Sequence, residues 1–198
     1  LDRYTLKPNR MQVAFVDSIM KLRREKVDRA LLLSSTGTGK TLASAFAVRE
    51  MNPRRILFLV HREQIAKQAI RSYQRVFGSS RNYGLLSGTS KEMDSEFLFA
   101  TMQMMSKEEI YIQYAKDAFD VIILDECHHA GAESYQRIMR YFTPGFWLGM
   151  TASPDTAQYD IYSLFHHHIA YEIRLQQALE EDLLCPFHYF GITDLEIN

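Results

Sequence analysis

An α/β fold, with a mostly parallel sheet covered by helices on both faces, is predicted by three observations. Short apolar runs alternate with segments of helical period along the chain, the pattern of strands joined by crossover helices. Runs such as Ile56–Val60 and Val121–Leu124 are continuously apolar, as expected of strands buried on both faces. Polar segments follow several of these runs, at the strand ends where open α/β sheets bind ligands. At 198 residues, 46% hydrophobic and 24% charged, the chain is long enough for a sizeable core, and collagen-like, low-complexity and wholly disordered classes are excluded. No internal repeat or linker-like stretch interrupts it, so residues 1–198 read as one domain.

The elements follow in order. Met11, Phe15, Ile19 and Leu22 recur at helical spacing over Met11–Leu22. Ala30–Leu33 is a short strand that runs into the glycine loop Ser34-Ser35-Thr36-Gly37-Thr38-Gly39. Thr41–Met51 is a helix stopped by Asn52-Pro53, and Ile56–Val60 is the next strand. Glu63–Phe77 is helical again, with Gly78 placed as its C-cap. Strands are expected at Tyr83–Leu86, Phe97–Thr101, Val121–Leu124 and Phe146–Met150, with helical stretches near Ser106–Tyr114 and Ser134–Tyr141 and a strand-like run at Phe187–Thr193. Phe15, Ile19 and Leu22, and the cluster Met102, Met104 and Met105, read as packing residues.

The net charge of −1 conceals an asymmetry: residues 1–75 hold 16 Lys and Arg against 6 Asp and Glu, and residues 76–198 hold 7 against 18. Two readings stand side by side, a basic face for a polyanion and basic residues dispersed over solvated helices. Lys67 and Arg71, four apart on the Glu63–Phe77 helix, fit a solvated charged face. Cys127 and Cys185 are the only cysteines and nothing resembles a signal peptide, which suits a reducing, cytoplasmic setting. No apolar run approaches the ~18 residues of a membrane span, so no membrane partner is expected. The consecutive residues His166, His167 and His168 do not converge easily on one ion and the cysteines lack zinc spacing, so zinc is not expected.

The chemistry lies at the strand ends. Gly39-Lys40-Thr41, preceded by Thr36-Gly37-Thr38 and set between strand and helix, has the parts of a phosphate loop. Glycines let backbone N–H groups approach a polyphosphate, the helix N-terminus adds positive potential, Lys40 reaches the β/γ-phosphates and the Thr41 hydroxyl suits Mg²⁺. The strict pattern asks for glycine where this chain has Ser34. Val121–Leu124 delivers Asp125 and Glu126 at a strand end, where Asp125 would hold Mg²⁺ and Glu126 would act as general base toward water.

Taken together, Ser35-Thr36-Gly37-Thr38-Gly39-Lys40-Thr41, Asp125-Glu126-Cys127-His128 and Gly149-Met150-Thr151-Ala152-Ser153-Pro154 resemble motifs I, II and III of superfamily 2 helicases. Met11-Gln12 resembles the family's upstream adenine-reading glutamine, and Val60-His61-Arg62-Glu63-Gln64-Ile65-Ala66 resembles motif Ia. Phe99-Ala100-Thr101-Met102-Gln103 is similar to the strand-end segment that touches the nucleic-acid backbone. His128–Ala132 and Glu181–Phe187 most resemble bacterial helicases akin to the type III restriction enzyme Res subunit.

The resemblance implies a RecA-like P-loop NTPase domain, the first of two motor domains, using ATP and Mg²⁺ and acting on nucleic acid, DNA before RNA. In it, Gln12 contacts adenine, Arg62, Thr101 and Gln103 contact the backbone, and His128 links nucleotide state to Thr151 or Ser153. Read without the family, Gln12 is a polar residue on an exposed helix side, Arg62, Thr101 and Gln103 are capping or solvated residues, and His128 is a buried hydrogen-bonding histidine. The family's second domain supplies an arginine finger; Arg174 is the only Arg or Lys in the last 58 residues, so residues 171–198 are expected to lead towards a missing second domain. Starting at Leu1 without Met, the chain reads as a piece of a longer protein. Departures from the family pattern are Ser34 for a common Ala, Ser153 for Thr and His129 for Arg. Beside the helicase or translocase stand an ATP-gated clamp without strand separation and the motor subunit of a restriction or repair nuclease.

Overall fold

The computed structural model describes residues 6–34, 37–127, 133–152 and 169–173. Its helices are α1 (Arg10–Arg24), α2 (Gly37–Met51), α3 (Glu63–Phe77), α4 (Met102–Met105), α5 (Glu108–Tyr111) and α6 (Glu133–Tyr141). Its strands are β1 (Arg29–Ser34), β2 (Ile56–Val60), β3 (Tyr83–Leu86), β4 (Phe97–Thr101), β5 (Val121–Asp125), β6 (Phe146–Thr151) and β7 (Ile169–Ile173). The seven strands form one sheet in the order β3-β4-β2-β5-β6-β1-β7, and every strand pairing is parallel. This is the RecA-like α/β architecture that the motifs imply, with a sheet more uniformly parallel than expected.

The apolar runs divide residue by residue between two cores, because successive strand side chains point to opposite faces. Ile56, Phe58, Phe97, Phe99, Val121 and Ile123 join one cluster with α1, α2 and α3. Leu57, Leu59, Leu98, Ala100, Ile122 and Leu124 join the other with α4, α5 and α6. Helix α2 lies between α1 and α3 and is accordingly buried on most sides, with Ala43, Ala45 and Ala47 permitting close approach. Phe58, Phe99 and Tyr73 form a ring cluster, with centroids 5.3 Å apart for Phe58–Phe99 and 5.2 Å for Tyr73–Phe99. Phe15, Ile19, Met102, Met104 and Met105 are buried, and Leu22 is partly so, as packing residues should be.

Local chemistry sets the boundaries. Asn9 and Gln12 form a reciprocal capping box at the start of α1. Helix α3 ends at Gly78, whose φ of +58° lies in the left-handed region. Two expectations need correction. The helical stretch near Ser106–Tyr114 is shorter than expected, the four-residue α5 alone: α4 precedes it on the strand end, capped by the Thr101 hydroxyl, and Lys107 turns extended before α5. Strand β7, unforeseen, is an edge strand among the described residues, paired there only to β1, with a register shift between Leu31 and Leu32. No described helix is long and apolar enough to cross a membrane.

Gly84 in β3 is a steric requirement. A Cβ there would stand 2.8 Å from the Glu92 carbonyl oxygen and 2.7 Å from Ser95 Cβ, whereas one on Gly88 would meet nothing within 4 Å. Gly84→Ala should lower the stability read from urea unfolding by about 1–3 kcal/mol, and Gly88→Ala should leave it nearly unchanged.

Candidate functional site

Parallel strands paired in register bring their carboxyl ends to one edge. Thr151 of β6 pairs with Leu33 of β1, and Met150 with Asp125 of β5, so β6 lies between the strand that feeds α2 and the strand that carries the acids. Gly37, Thr38, Gly39 and Lys40 make the first turn of α2, whose N–H groups have no intrahelical partners and which contains no acidic residue. Ser34, where the strict loop pattern wants glycine, is the buried last residue of β1 and is not among the left-handed residues; that position needs no glycine.

Lys40, 3% exposed, reaches from α2 to the acids at the end of β5. Its Nζ lies 3.0 Å from Asp125 Oδ1 and 2.8 Å from Glu126 Oε1. Asp125 is 4% exposed, while the Glu126 side chain is 36% exposed. Glu126 has φ +54°, a left-handed turn that takes it out of the strand line, and its N–H donates to Asp125 Oδ1 at 2.9 Å. Such a backbone costs a non-glycine residue on the order of 1 kcal/mol, and here it lets two consecutive acids meet one ammonium.

One ammonium between two carboxylates leaves an excess negative charge. Burial, with Glu126 beside it, holds the Asp125 carboxyl above its ordinary 3.8, against the pull of Lys40. Burial alone would lower the Lys40 ammonium, but Asp125 and Glu126 together outweigh it and hold it above 10.5. Burial also pushes the Cys127 thiol up, so it is a packing residue rather than a nucleophile.

Several residues that sequence reasoning missed support this centre. Tyr135 of α6, fully buried, donates its hydroxyl to the Asp125 carbonyl at 3.3 Å and meets His61 Nε2 at 3.4 Å. Ser44 donates to the Thr41 carbonyl at 2.6 Å, and Tyr73 lies 2.9 Å from the Ser44 oxygen. With the Ser44 hydrogen engaged, Tyr73 is the donor, and burial raises its own phenol. The sequence marks the segment of Tyr135 only as a helical stretch, and no local motif links residues 44 and 73.

Gln12 is 6% exposed, which removes the reading of a solvated residue. Its Oε1 accepts from Asn9 N–H at 2.9 Å, and its Nε2 donates to the Gly39 carbonyl at 3.4 Å, so α1 docks against the phosphate loop. Thr151 is fully buried. Arg62 is exposed at the N-cap of α3, and the register Val60–Thr101 sets the end of β4 beside it. There Gln103 is exposed, whereas Thr101 is 8% exposed with its hydroxyl accepting from Met104 N–H at 3.4 Å. Thr36, His128, His129, Ser153, the three histidines 166–168, Arg174, Cys185 and Phe187–Thr193 lie outside the described residues. Among the described residues, no three His, Cys, Asp or Glu side chains gather as a metal site.

The type III restriction enzyme Res subunit model matches residues 5–156, across the phosphate loop, the acids and the end of β6. This chain belongs to that family. It is a RecA-like motor domain of the superfamily 2 helicase type. The type I restriction enzyme EcoAI endonuclease subunit of Escherichia coli is 27% identical over 203 residues, covering 96% of this chain and 25% of that protein. The chain thus spans a quarter of this relative. Among solved structures, a nuclease-deletion mutant of the type ISP restriction-modification enzyme LlaGI, in complex with a DNA substrate mimic, aligns with a TM-score of 0.66 at 17% identity over 90% of this chain and 21% of its own. The Pyrococcus furiosus Hef helicase domain aligns with a TM-score of 0.63 at 19% identity, over 85% of this chain and 40% of its own. These structural likenesses establish the fold.

The raised Asp125 carboxyl carries a sign. The folded protein holds that proton more tightly than the unfolded chain, so stability falls as pH rises from 3.8 through the raised value. Lys40 contributes stability that is lost only above 10.5, outside this window. Asp125→Asn should therefore gain stability relative to the unsubstituted protein as pH rises from 4 to 7, in urea titrations without nucleotide; a constant difference would contradict the assignment.

Proposed function

We propose that this chain is the nucleotide-binding motor domain of an ATP-dependent helicase or translocase acting on nucleic acid, DNA before RNA. The observation that carries the reading is the convergence of Lys40 on Asp125 and Glu126 at 3.0 and 2.8 Å, at the first turn of α2. In this reading residues 1–198 are one domain, residues 171–198 lead towards a second RecA-like domain, and the work is done in the cytoplasm.

The donor set suits Mg²⁺: a hydroxyl and carboxylates are hard oxygen ligands, and the excess negative charge at Asp125 and Glu126 favours a cation. Thr41 and Asp125 would hold it, and bound there it would neutralise charge on a triphosphate. The α2 first turn, with Thr36, Gly37, Thr38 and Gly39, binds the phosphates through N–H groups. Lys40 exchanges its carboxylates for phosphate oxygens. Glu126, the more exposed acid, accepts a proton from the attacking water. Gln12 offers an amide to adenine, which requires its oxygen to leave the Asn9 cap. His128, Thr151 and Ser153 couple the nucleotide to the nucleic-acid grip, which is made by Arg62, Thr101 and Gln103; of these, Thr101 would act through backbone or by leaving its cap. DNA is favoured because the EcoAI relative is a restriction endonuclease subunit and the LlaGI neighbour is in complex with a DNA substrate mimic.

Glu126→Gln in the intact protein should keep ATP binding and reduce turnover by at least 10²-fold, measured by equilibrium binding and phosphate release; retained hydrolysis would remove the general-base role. The 198-residue chain alone should bind ATP yet hydrolyse it very slowly, since an arginine finger contributes about 10³–10⁵ in rate and in this reading comes from the second domain. Brisk turnover by that chain would refute the division of labour.

A further inference from the structure

The outward face of α3 remains unexplained by the nucleotide site. Its inward face is fixed by Ala66, Ala69, Tyr73 and Val76, all buried. Gln64, Lys67, Gln68, Arg71, Gln74 and Arg75 are all exposed, and their spacing places them on the opposite side of the helix. Lys67, Arg71 and Arg75 follow at intervals of four, about 6 Å of rise each. The row begins at exposed Arg62 and spans roughly 20 Å.

A solvated helix face ordinarily mixes signs, and α6 does so: Glu133 lies 3.5 Å from Arg137 and 3.4 Å from Arg140. The outward face of α3 has cations and amides without an acid. Its single acidic residue, Glu63 in the first turn, is engaged by the Ser87 and Thr89 hydroxyls and by Lys67 at 3.5 Å. Those hydroxyls hold the Glu63 carboxyl below its ordinary value, so it stays charged and occupied. Among the described residues Arg62, Arg71 and Arg75 have no carboxylate partner. At its far end the row opens on a cleft of about 990 Å³ that Arg75 lines together with Arg49 and Arg81. Arg81 is held there by Asn52 Oδ1 at 2.9 Å and by Glu96 at 3.5 Å.

We infer that the outward face of α3 is a phosphate-backbone track that extends the Arg62 rim along the flank of the domain and binds duplex nucleic acid beyond the segment gripped at the strand ends. The inference rests on the nucleic-acid reading above. Charge selects the occupant: a line of cations and amides without acids fits a uniform polyanion and repels nothing on it. At 3.4 Å per base pair, the track adds about six base pairs to the footprint. Arg71 and Arg75 act as point charges on phosphates and read no base.

The test uses the intact protein and fluorescence anisotropy with a 10-base-pair and a 30-base-pair DNA duplex over a salt series. Arg71→Ala with Arg75→Ala keeps helix propensity, and circular dichroism checks the fold. The expected result is about tenfold weaker binding of the longer duplex, a log–log salt slope shallower by about 1.8 for two lost contacts, and little change for the shorter one. Arg71→Lys with Arg75→Lys should restore binding. Unchanged affinity and slope in the alanine pair, with Arg62→Ala still weakening both duplexes, overturns the track and leaves the rim standing. No duplex binding by the unsubstituted protein overturns both. Loss of affinity for an acidic peptide instead of the duplex overturns the track in favour of a protein partner.

Discussion

The site turns on one buried ammonium shared by two carboxylates. Lys40 has left water almost completely, and a lone charge there would be far more costly than the pairing it makes. The arrangement is unbalanced by design of its geometry: two acids and one base, with Asp125 the more deeply buried acid. A nucleotide that takes Lys40 away must bring its own positive charge for the acids. On the proposed nucleotide-binding role, metal and nucleotide would bind as a unit, since either one alone leaves a charge uncompensated in a poorly solvated place.

The sheet is what permits that pairing. Neighbouring parallel strands about 4.8 Å apart put the end of β1 and the end of β5 on either side of β6, about 10 Å apart, a gap that the start of α2 and the Lys40 side chain bridge together. The two cores, one on each face, fix the register that aligns those ends, because a one-residue slip of any strand would exchange its contributions to the two cores. Tyr135 then ties the acid strand to α6 and to His61 at the end of β2, while Ser44 and Tyr73 tie the phosphate loop to α3. The strand ends near Arg62 and those near Lys40 are thus connected through hydrogen bonds in addition to the sheet itself.

Much of this was legible in the sequence. Strands β2, β3 and β4, the end of helix α2 and both ends of helix α3 have the boundaries their apolar runs, Pro53 and Gly78 indicate, because each boundary is set by local chemistry. The helix expected near Ser106–Tyr114 is shorter in the structure, because Lys107 is extended before it and α5 ends at Tyr111. Strand β7 was missed because an edge strand owes its existence to its neighbour β1 more than to its own composition. Lys40, Asp125 and Glu126 were found because the phosphate-loop and acid motifs are contiguous in the chain. Tyr135, His61, Ser44 and Tyr73 were not, because their hydrogen bonds join residues 10, 74 and 29 positions apart, and no spacing rule records such a meeting.

Glu126 occupies a backbone conformation in which glycine would be at ease. A laboratory screen of random variants that rewards heat tolerance alone would favour glycine at this position, since it relieves the left-handed turn and removes an excess anion at once. If Glu126 is the general base proposed above, the survivors would be sturdier and inert. Efforts to harden this domain therefore need a counter-selection that keeps the carboxylate.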